Sequence, residues 1–311
     1  MIVTVTMNPA IDRTVEINEL KHGGLNRIEK VEYDAGGKGI NVSNTIHELG
    51  GESIATGFLG GSAGKIIESV LNEKNIKTDF VWVENETRTN TKIFEKNGKV
   101  TELNEKGSYI SDYHLNQLIQ KVESYANRET LFVFAGSIPG NIQQNIYEKM
   151  IERVHKKGAK VLLDADGELL LYGMKAAPDI VKPNRRELEQ YAGLTGDTTE
   201  KELIAAAENL RKEKGGAVIV SLGERGAIFI LENYAAVVKS LSVKAHSTVG
   251  AGDAMVAAIA YSWDENLNTE QMICLCMAAS AGAVTTIGTK PPSRALVDSL
   301  LPQVVIKRIK N

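Results

Sequence analysis

The sequence predicts an α/β fold in which helices cover both faces of a mainly parallel sheet, with a small β-sheet lid attached. Short runs rich in Val and Ile alternate with longer amphipathic stretches, which is typical of strand–helix repeats. The short runs are continuously apolar, as in strands that are buried on both faces. Two further segments alternate apolar and polar residues around turn residues, as hairpins do.

The core elements follow from these patterns in chain order. The predicted strands are Ile2–Met7, Ser53–Leu59, Leu131–Ala135, Val161–Asp164, Asp179–Lys182 and Val218–Leu222. The predicted helices are Asn41–Leu49, Lys65–Lys74, Asp112–Tyr125, Ile142–Lys156 and Glu200–Lys214. Because ligands in such folds bind beyond the carboxyl ends of the strands, we expect the functional residues there.

The lid is predicted from two hairpins. The first pairs Thr14–Glu19 with Arg27–Tyr33. The second pairs Asn90–Glu95 with Lys99–Leu103 through an Asn-Gly turn, a strong hairpin signal.

We expect residues 1–311 to form one α/β domain, with the lid drawn from about 12–34 and 88–105. Isolated small sheets are marginally stable in water, and Val15 and Ile17 fall on one face of the first hairpin. A second subunit could cover such a face, so we expect a homodimer that pairs through the lid.

Composition narrows the class of protein. Hydrophobic residues make up 43% and the net charge is −3, from 36 basic and 39 acidic residues. This balance gives no reason to expect nucleic acid or a membrane as partner. The N-terminus lacks a basic signal-peptide region and no apolar run approaches a membrane span, so we expect a cytoplasmic protein. Cys274 and Cys276 are expected to be free thiols, and no histidine has motif spacing.

The motif Ser247-Thr248-Val249-Gly250-Ala251-Gly252-Asp253 carries the most chemical information. Glycines bring backbone N–H groups close to a ligand, and the first turn of a helix attracts anions. A carboxylate at Asp253 could accept a proton from an attacking hydroxyl beside that anion. An anion-binding turn with an adjacent base suits phosphoryl transfer. The alternative is a flexible loop in which Asp253 caps the helix.

A second glycine-rich loop, Gly36-Gly37-Lys38-Gly39-Ile40-Asn41, fits neither the dinucleotide nor the P-loop pattern. Its backbone could approach a polyhydroxylated ligand, or it could be a simple turn. Asp12 could accept two sugar hydroxyls or form a turn, and Arg88 could grip a phosphate or be solvated.

Two motifs follow later strands. In Lys182-Pro183-Asn184-Arg185-Arg186-Glu187 the Asn and Glu could hold the waters of Mg²⁺, or they could form a capping box. Ser221-Leu222-Gly223-Glu224-Arg225-Gly226 ends a strand in a glycine turn that is not informative alone.

Taken together and in this order, the motifs resemble those of the ribokinase-like (PfkB) carbohydrate kinases over nearly the whole chain. Asn8-Pro9-Ala10-x-Asp12 is similar to the phosphosugar branch, and the resemblance is greatest to members that phosphorylate fructose 1-phosphate with ATP. It therefore implies ATP and Mg²⁺ as cofactors and a phosphosugar as substrate.

The resemblance also implies a role for each site residue. Asp253 would be the general base, and the amides of Gly250, Ala251 and Gly252 would form the anion hole. The sugar phosphate would be held by Asp12, Gly36, Gly37, Lys38, Asn41, Arg88 and Ser137, with Arg88 and Lys38 on its phosphate. The nucleotide would be bordered by Lys182, Ser221, Gly223, Glu224, Gly226, Gly250 and Gly252. Asn184 and Glu187 would organise Mg²⁺ through water.

One departure from the family pattern is Asp166, where relatives often carry serine. An extra carboxylate there would tune metal or substrate binding. Tagatose-6-phosphate kinase activity, and a catalytically silent sugar-phosphate sensor on the same fold, remain open alternatives. A dehydrogenase is less expected, because no Gly-x-Gly-x-x-Gly follows the first strand.

Overall fold

The computed structural model describes residues 1–309, and strands alternate with helices along most of them. The strands are β1 Ile2–Thr6, β2 Ala10–Ile17, β3 Lys30–Gly36, β4 Ser53–Gly60, β5 Lys77–Thr78, β6 Val81–Val83, β7 Arg88–Glu95, β8 Val100–Asn104, β9 Leu131–Ala135, β10 Lys160–Asp164, β11 Ile180–Val181, β12 Ala217–Ser221, β13 Ala227–Ile230, β14 Ala235–Val238 and β15 Ile306–Arg308. The helices are α1 Lys38–Glu48, α2 Gly61–Glu73, α3 Asp112–Tyr125, α4 Ile146–His155, α5 Gly167–Lys175, α6 Arg185–Ala192, α7 Glu200–Lys214, α8 Ala251–Asp264, α9 Thr269–Ala283 and α10 Arg294–Leu300.

The large sheet has eleven strands in the order β15-β14-β13-β12-β11-β10-β9-β1-β4-β5, with β6 also paired to β4. Strands β1, β4, β5, β6 and β9 to β12 run parallel, which confirms the predicted core. Strands β13 to β15 extend it as an antiparallel edge that was not predicted. Their short apolar runs carry no signal of strand direction.

The core lies on both faces of this sheet. Strand β9 is fully buried, and its side chains alternate between two clusters. Phe132 and Phe134 pack with Tyr147 of α4 on one face. Leu131 and Val133 pack on the other face with residues of α1, α8 and α9, such as Val42. Continuous hydrophobicity was therefore the correct signal for a strand covered on both sides.

A separate four-stranded sheet forms the lid, in the order β3-β2-β7-β8. The two predicted hairpins are both present, and β2 joins them by pairing in parallel with β7. The strands differ from the predicted bounds: β2 starts at Ala10 and ends at Ile17, and β3 runs from Lys30 to Gly36. The base of the lid packs through Ile11 and Ala35 against Leu59 and Ile67.

Val15 and Ile17 are each 4% exposed, so the chain itself buries them. The expectation that they form an uncovered apolar face was therefore wrong. The lid touches a core loop on the way into α8, where the Phe94 and His246 rings lie 6.3 Å apart.

Three helix starts differ from the sequence prediction, among them that of α2, which begins at Gly61 rather than Lys65. Helix α1 begins at Lys38 rather than Asn41, because Gly37 adopts φ +113 as its N-cap. A Cβ at Gly37 would lie 2.7 Å from Thr6 Cγ2, so the turn requires glycine. Helix α4 begins at Ile146 rather than Ile142, after a turn.

Helix α9 carries Cys274 and Cys276, and both are free thiols as expected. Over residues 1–309, none of the helices combines the length and the apolar character needed to cross a membrane.

We predict that Gly57→Ala destabilises the fold. Gly57 of β4 pairs with Thr6 of β1, and an added Cβ would lie 1.8 Å from the Thr6 carbonyl oxygen at φ +143. Overpacking costs about 1–3 kcal/mol and backbone strain adds to it, so we expect a loss of at least ~2 kcal/mol in the free energy of unfolding. Urea denaturation followed by circular dichroism measures this loss.

Gly140→Ala is the matched control, since nothing lies within 4 Å of its added Cβ. Its effect should stay within about 0.5 kcal/mol. Equal unfolding midpoints for the two variants would contradict the packing argument.

Candidate active site

A cavity of about 630 Å³ opens between the lid and the carboxyl ends of the parallel strands. It brings together most of the residues predicted for the site. These are Asp12, Gly37, Lys38, Asn41, Arg88, Ser137, Lys182, Asn184, Glu187, Ser221, Gly250, Gly252 and Asp253. The parallel sheet therefore gathers residues from distant parts of the chain at one edge, as such folds do.

The cavity contains an uncapped helix N-terminus. Gly250 is the N-cap of α8 with φ +85, and no side chain of the described chain caps it. A Cβ placed on Gly252 would lie 3.6 Å from Lys182 Nζ, so the first turn of the helix faces an ammonium group. Free amides at the positive end of a helix dipole, next to a lysine, suit the binding of an anion.

Asp253 lies in the first turn of α8 and is 8% exposed. The Asn41 side chain donates a hydrogen bond of 2.8 Å from Nδ2 to Asp253 Oδ2. Burial is the main cause that raises the pKa of Asp253 to about 6, while Lys38 and Asn41 oppose the shift. A carboxyl group with a pKa near the working pH is suited to accept and release a proton.

Asp164 lies at the carboxyl end of β10 and is 1% exposed. Its two oxygens form ion pairs with Lys38 at 3.3 Å and with Lys182 at 3.2 Å. Burial opposes the charge of this carboxylate, but the two lysines outweigh it and lower its pKa. Asp164 therefore lies between two ammonium groups, and Asp253, Glu187 and Asp166 are further acidic neighbours of Lys38.

Lys38 belongs to this charged group. Desolvation opposes its charge, but Asp164 and Asp253 outweigh desolvation and raise the pKa of its ammonium. Arg88, by contrast, has Asp12 and Glu105 as its charged neighbours. The shared role of Lys38 and Arg88 on one substrate phosphate stays a prediction.

Asn184 and Glu187 form a full capping box at the start of α6. Asn184 Oδ1 accepts from the Glu187 N–H at 2.9 Å, and Glu187 Oε2 accepts from the Asn184 N–H at 2.7 Å. Burial raises the pKa of Glu187. The capping box that the sequence offered as an alternative to metal binding is therefore present, and both side chains also line the cavity.

The fit to Mg²⁺ follows from these donors. No group of three or more His, Cys, Asp or Glu residues within residues 1–309 could hold a metal ion directly. Mg²⁺ often keeps several waters and binds through one or two carboxylates and phosphate oxygens. Asn184 and Glu187 both line the cavity, and the carboxylate of Glu187 suits a hydrated ion, so the residues fit binding through water.

Asp12 of β2 forms the lid side of the cavity and is 5% exposed. Lys92 of β7 lies 3.1 Å from Asp12 Oδ2, and Asn90 donates to Asp12 Oδ1 at 3.3 Å. A Cβ on Gly36 would lie 2.6 Å from Asp12 Cγ, so the close approach of this carboxylate requires glycine at position 36.

Arg88, at the start of β7, is held by two backbone carbonyl groups. It donates from Nη1 to the Glu105 oxygen at 2.7 Å and from Nη2 to the Asn8 oxygen at 3.0 Å. Burial is the main cause that lowers its pKa. The Asn8 side chain in turn donates to Ser137 Oγ at 3.3 Å, which connects this corner to the loop after β9.

Five predicted residues do not line the cavity: Gly36, Gly223, Glu224, Gly226 and Ala251. Gly223 and Glu224 lie in a 3₁₀ turn. A Cβ on Gly226 would lie 1.9 Å from the Val238 oxygen, so this glycine is required by packing against β14. Their nucleotide-binding roles stay predictions.

Sequence reasoning missed Asp164 and Lys92 as site residues. Asp164 ends a strand beside the cavity, a position that could have been recognised from the predicted strand bounds. Lys92 follows Arg88 and Asn90 at alternate positions of a strand, which would have placed all three on one face. Asp166 also lines the cavity.

Known proteins resemble this chain over nearly its whole length. The chain is 33% identical to 1-phosphofructokinase of Haemophilus influenzae, over 100% of this chain and 99% of the relative. Its fold is similar to that of phosphofructokinase-2 from Escherichia coli, crystallised with fructose-6-phosphate. That match has a TM-score of 0.90 and 26% identity, over 97% of this chain and 98% of the other.

Ribokinase from Thermotoga maritima shares the fold, with a TM-score of 0.77 and 22% identity over 97% of this chain and 99% of that chain. This match confirms a ribokinase-like α/β architecture with a small second sheet. Residues 5–296 match the pfkB family carbohydrate kinase description. The cavity, the uncapped glycine turn and the full-length matches lead to one conclusion: this chain is a kinase that belongs to the PfkB family of carbohydrate kinases.

Proposed function

We propose that this protein transfers the γ-phosphoryl group of ATP to the 6-hydroxyl of fructose 1-phosphate, giving fructose 1,6-bisphosphate and ADP. The observation that carries the proposal is Asp253, a buried carboxyl group in the first turn of α8 beside free backbone amides. The relatives named 1-phosphofructokinase support the choice of acceptor.

The transfer follows from the chemistry of these residues. Asp253 accepts the proton of the 6-hydroxyl while O6 bonds to the γ-phosphorus and the bond to the β-phosphate oxygen breaks. The amides of Gly250, Ala251 and Gly252 stabilise the charge that develops on the phosphoryl oxygens. Lys38 and Lys182 lie at this end of the cavity and add positive charge.

The remaining residues bind and orient the two substrates. Asp12, Gly37, Asn41 and Ser137 face the sugar phosphate, and Arg88 contributes positive charge at the lid. Ser221, Gly223, Glu224 and Gly226 border the nucleotide. Asn184 and Glu187 would hold Mg²⁺ through water. When bound, the ion neutralises charge on the phosphate oxygens.

The main alternatives are fructose 6-phosphate and tagatose 6-phosphate as acceptors. Fructose 6-phosphate is favoured by one observation, the structural match to phosphofructokinase-2 crystallised with that sugar. A catalytically silent sensor is disfavoured, because such a protein has no need of a buried carboxyl group beside an anion site.

A steady-state comparison of the three sugar phosphates with ATP tests the proposal. We expect kcat/KM to be at least about tenfold higher for fructose 1-phosphate, since one well-placed charged contact is worth about 1.5–3 kcal/mol. Phosphorus NMR of the product identifies fructose 1,6-bisphosphate. A higher kcat/KM for either 6-phosphate would contradict the proposed substrate, and no turnover of any of the three would contradict the proposed kinase reaction.

We also propose that two copies pair through the lid. Tyr33 and Leu103 lie in one row across the lid sheet, on the same face, and are 63% and 57% exposed. Leu25 and Ile28, between β2 and β3, are 73% and 46% exposed. Their burial by a second copy would hold the lid in position over the sugar side of the cavity.

Sedimentation at micromolar concentration should report a mass of about twice 33.8 kDa. Leu103→Asp should yield monomers, because a buried charge opposes association. Val305→Asp is the control: Val305 is 78% exposed and lies just before β15, in the other sheet. A fully active wild-type monomer, or a dimer that survives Leu103→Asp, would contradict the pairing.

A further inference from the structure

Lys92 is the buried residue of the lid strand β7. It is 6% exposed, and no other residue of β7 falls into the buried class. Lysine is rarely buried to this extent without a partner, because its ammonium group loses hydration. The burial of the Lys92 ammonium group must therefore be compensated by partners of opposite charge or by hydrogen-bond acceptors.

The ion pair with Asp12 uses only one of the hydrogen-bond donors of Lys92. Lys92 Nζ donates to Asp12 Oδ2 at 3.1 Å, and the other oxygen of Asp12 accepts from Asn90. An ammonium group has three donors. Across the described residues, Asp12 is the sole acceptor found for Lys92, so two donors remain for a ligand of the cavity that Lys92 lines.

The charge around Lys92 favours an anion. Arg88, Asn90 and Lys92 occupy alternate positions of β7, so they share one face, and all three line the cavity. Arg88 and Lys92 are two cations at this end of the cavity, where Asp12 is the buried carboxylate. Glu102 and Glu105 are exposed to solvent. Lys38 is not counted among these cations, because it pairs with Asp164 at the end of the cavity near α8.

We propose that Lys92 recognises the phosphate group that the sugar already carries, and that it thereby selects phosphosugars over free sugars. A phosphate monoester has a charge of about −1.5 to −2 and three acceptor oxygens, which match the free donors of an ammonium group. A sugar hydroxyl needs no buried cation, since Asp12 and Asn90 already offer an acceptor and an amide. The inference rests on the proposed function in that it assumes a phosphosugar substrate.

Steady-state kinetics of Lys92→Met and Lys92→Gln test the inference. The glutamine retains an amide donor for Asp12 but has no charge, so it separates phosphate binding from the positioning of Asp12. We expect both variants to raise KM for the sugar phosphate by roughly 10- to 100-fold, the equivalent of a lost charge-assisted hydrogen bond. The inhibition constant of inorganic phosphate, competing with the sugar phosphate, should rise in parallel, and KM for ATP should stay within about twofold.

The control is Lys96→Met. Lys96 follows β7 directly, its side chain is 65% exposed, and it pairs with Glu29 on the surface. An exposed pair contributes little, so its kinetics should match those of the wild type. Thermal melting identifies any variant that fails to fold, and Lys92→Gln carries the test if Lys92→Met is unfolded.

Two results would overturn the inference. One is a KM for the sugar phosphate within about threefold of wild type in both Lys92 variants. The other is recovery of wild-type constants by Lys92→Gln alone, which would make Lys92 a partner of Asp12 only. The variants are assayed on whichever sugar phosphate the wild-type enzyme prefers, so a wrong choice of fructose 1-phosphate is detected separately.

Discussion

The ion pairs of Asp164 with Lys38 and Lys182 are the constraint on which the rest of the site depends. The three residues come from the end of β10, the start of α1 and the segment after β11, so their contact fixes three parts of the chain at one point. Removing the carboxylate would leave two ammonium groups close together without compensation, and breaking a buried pair is costly. The arrangement brings two ammonium groups to the end of the cavity that holds the free amides of α8, which suits the proposed binding of a phosphoryl group.

Buried carboxyl groups take different roles in this cavity because their surroundings differ. Asp164 contacts two lysines, which hold its pKa below the ordinary value. Asp253 contacts an amide instead of a cation, and burial raises its pKa to about 6. Such opposed shifts identify which acid stays charged and which exchanges a proton. Lys38 stands between them, and the raised pKa of its ammonium keeps its charge near neutral pH.

Much of this molecule could be predicted from sequence because its signals are local. Continuous Val- and Ile-rich runs identified the parallel strands, and the glycines before Asp253 identified the turn into α8. The antiparallel edge β13 to β15 was missed, since short apolar runs do not reveal strand direction. Lys92 and Asp164 were missed although the strand patterns marked their positions, and only the packing of the lid and the sheet shows their ion pairs with Asp12 and Lys38. Asn184 and Glu187 differ from these two residues, because the sequence motif alone indicated their capping box and the structure contains it. Their role in metal binding stays a prediction.

The pH dependence of kcat at saturating substrates, compared between wild type and Asp253→Asn, tests the central claim most directly. The pKa of Asp253 lies above its ordinary value, so the proton acceptor is lost as the pH falls below about 6 and kcat should decline there. The neutral asparagine side chain of this variant replaces a carboxyl group that burial already favours in its neutral form, so the melting temperature should not fall. The account predicts that Asp253→Asn lowers kcat by roughly 10²- to 10⁴-fold and abolishes the decline at low pH. A folded variant with near wild-type kcat and the same decline would contradict the role of Asp253 as the base.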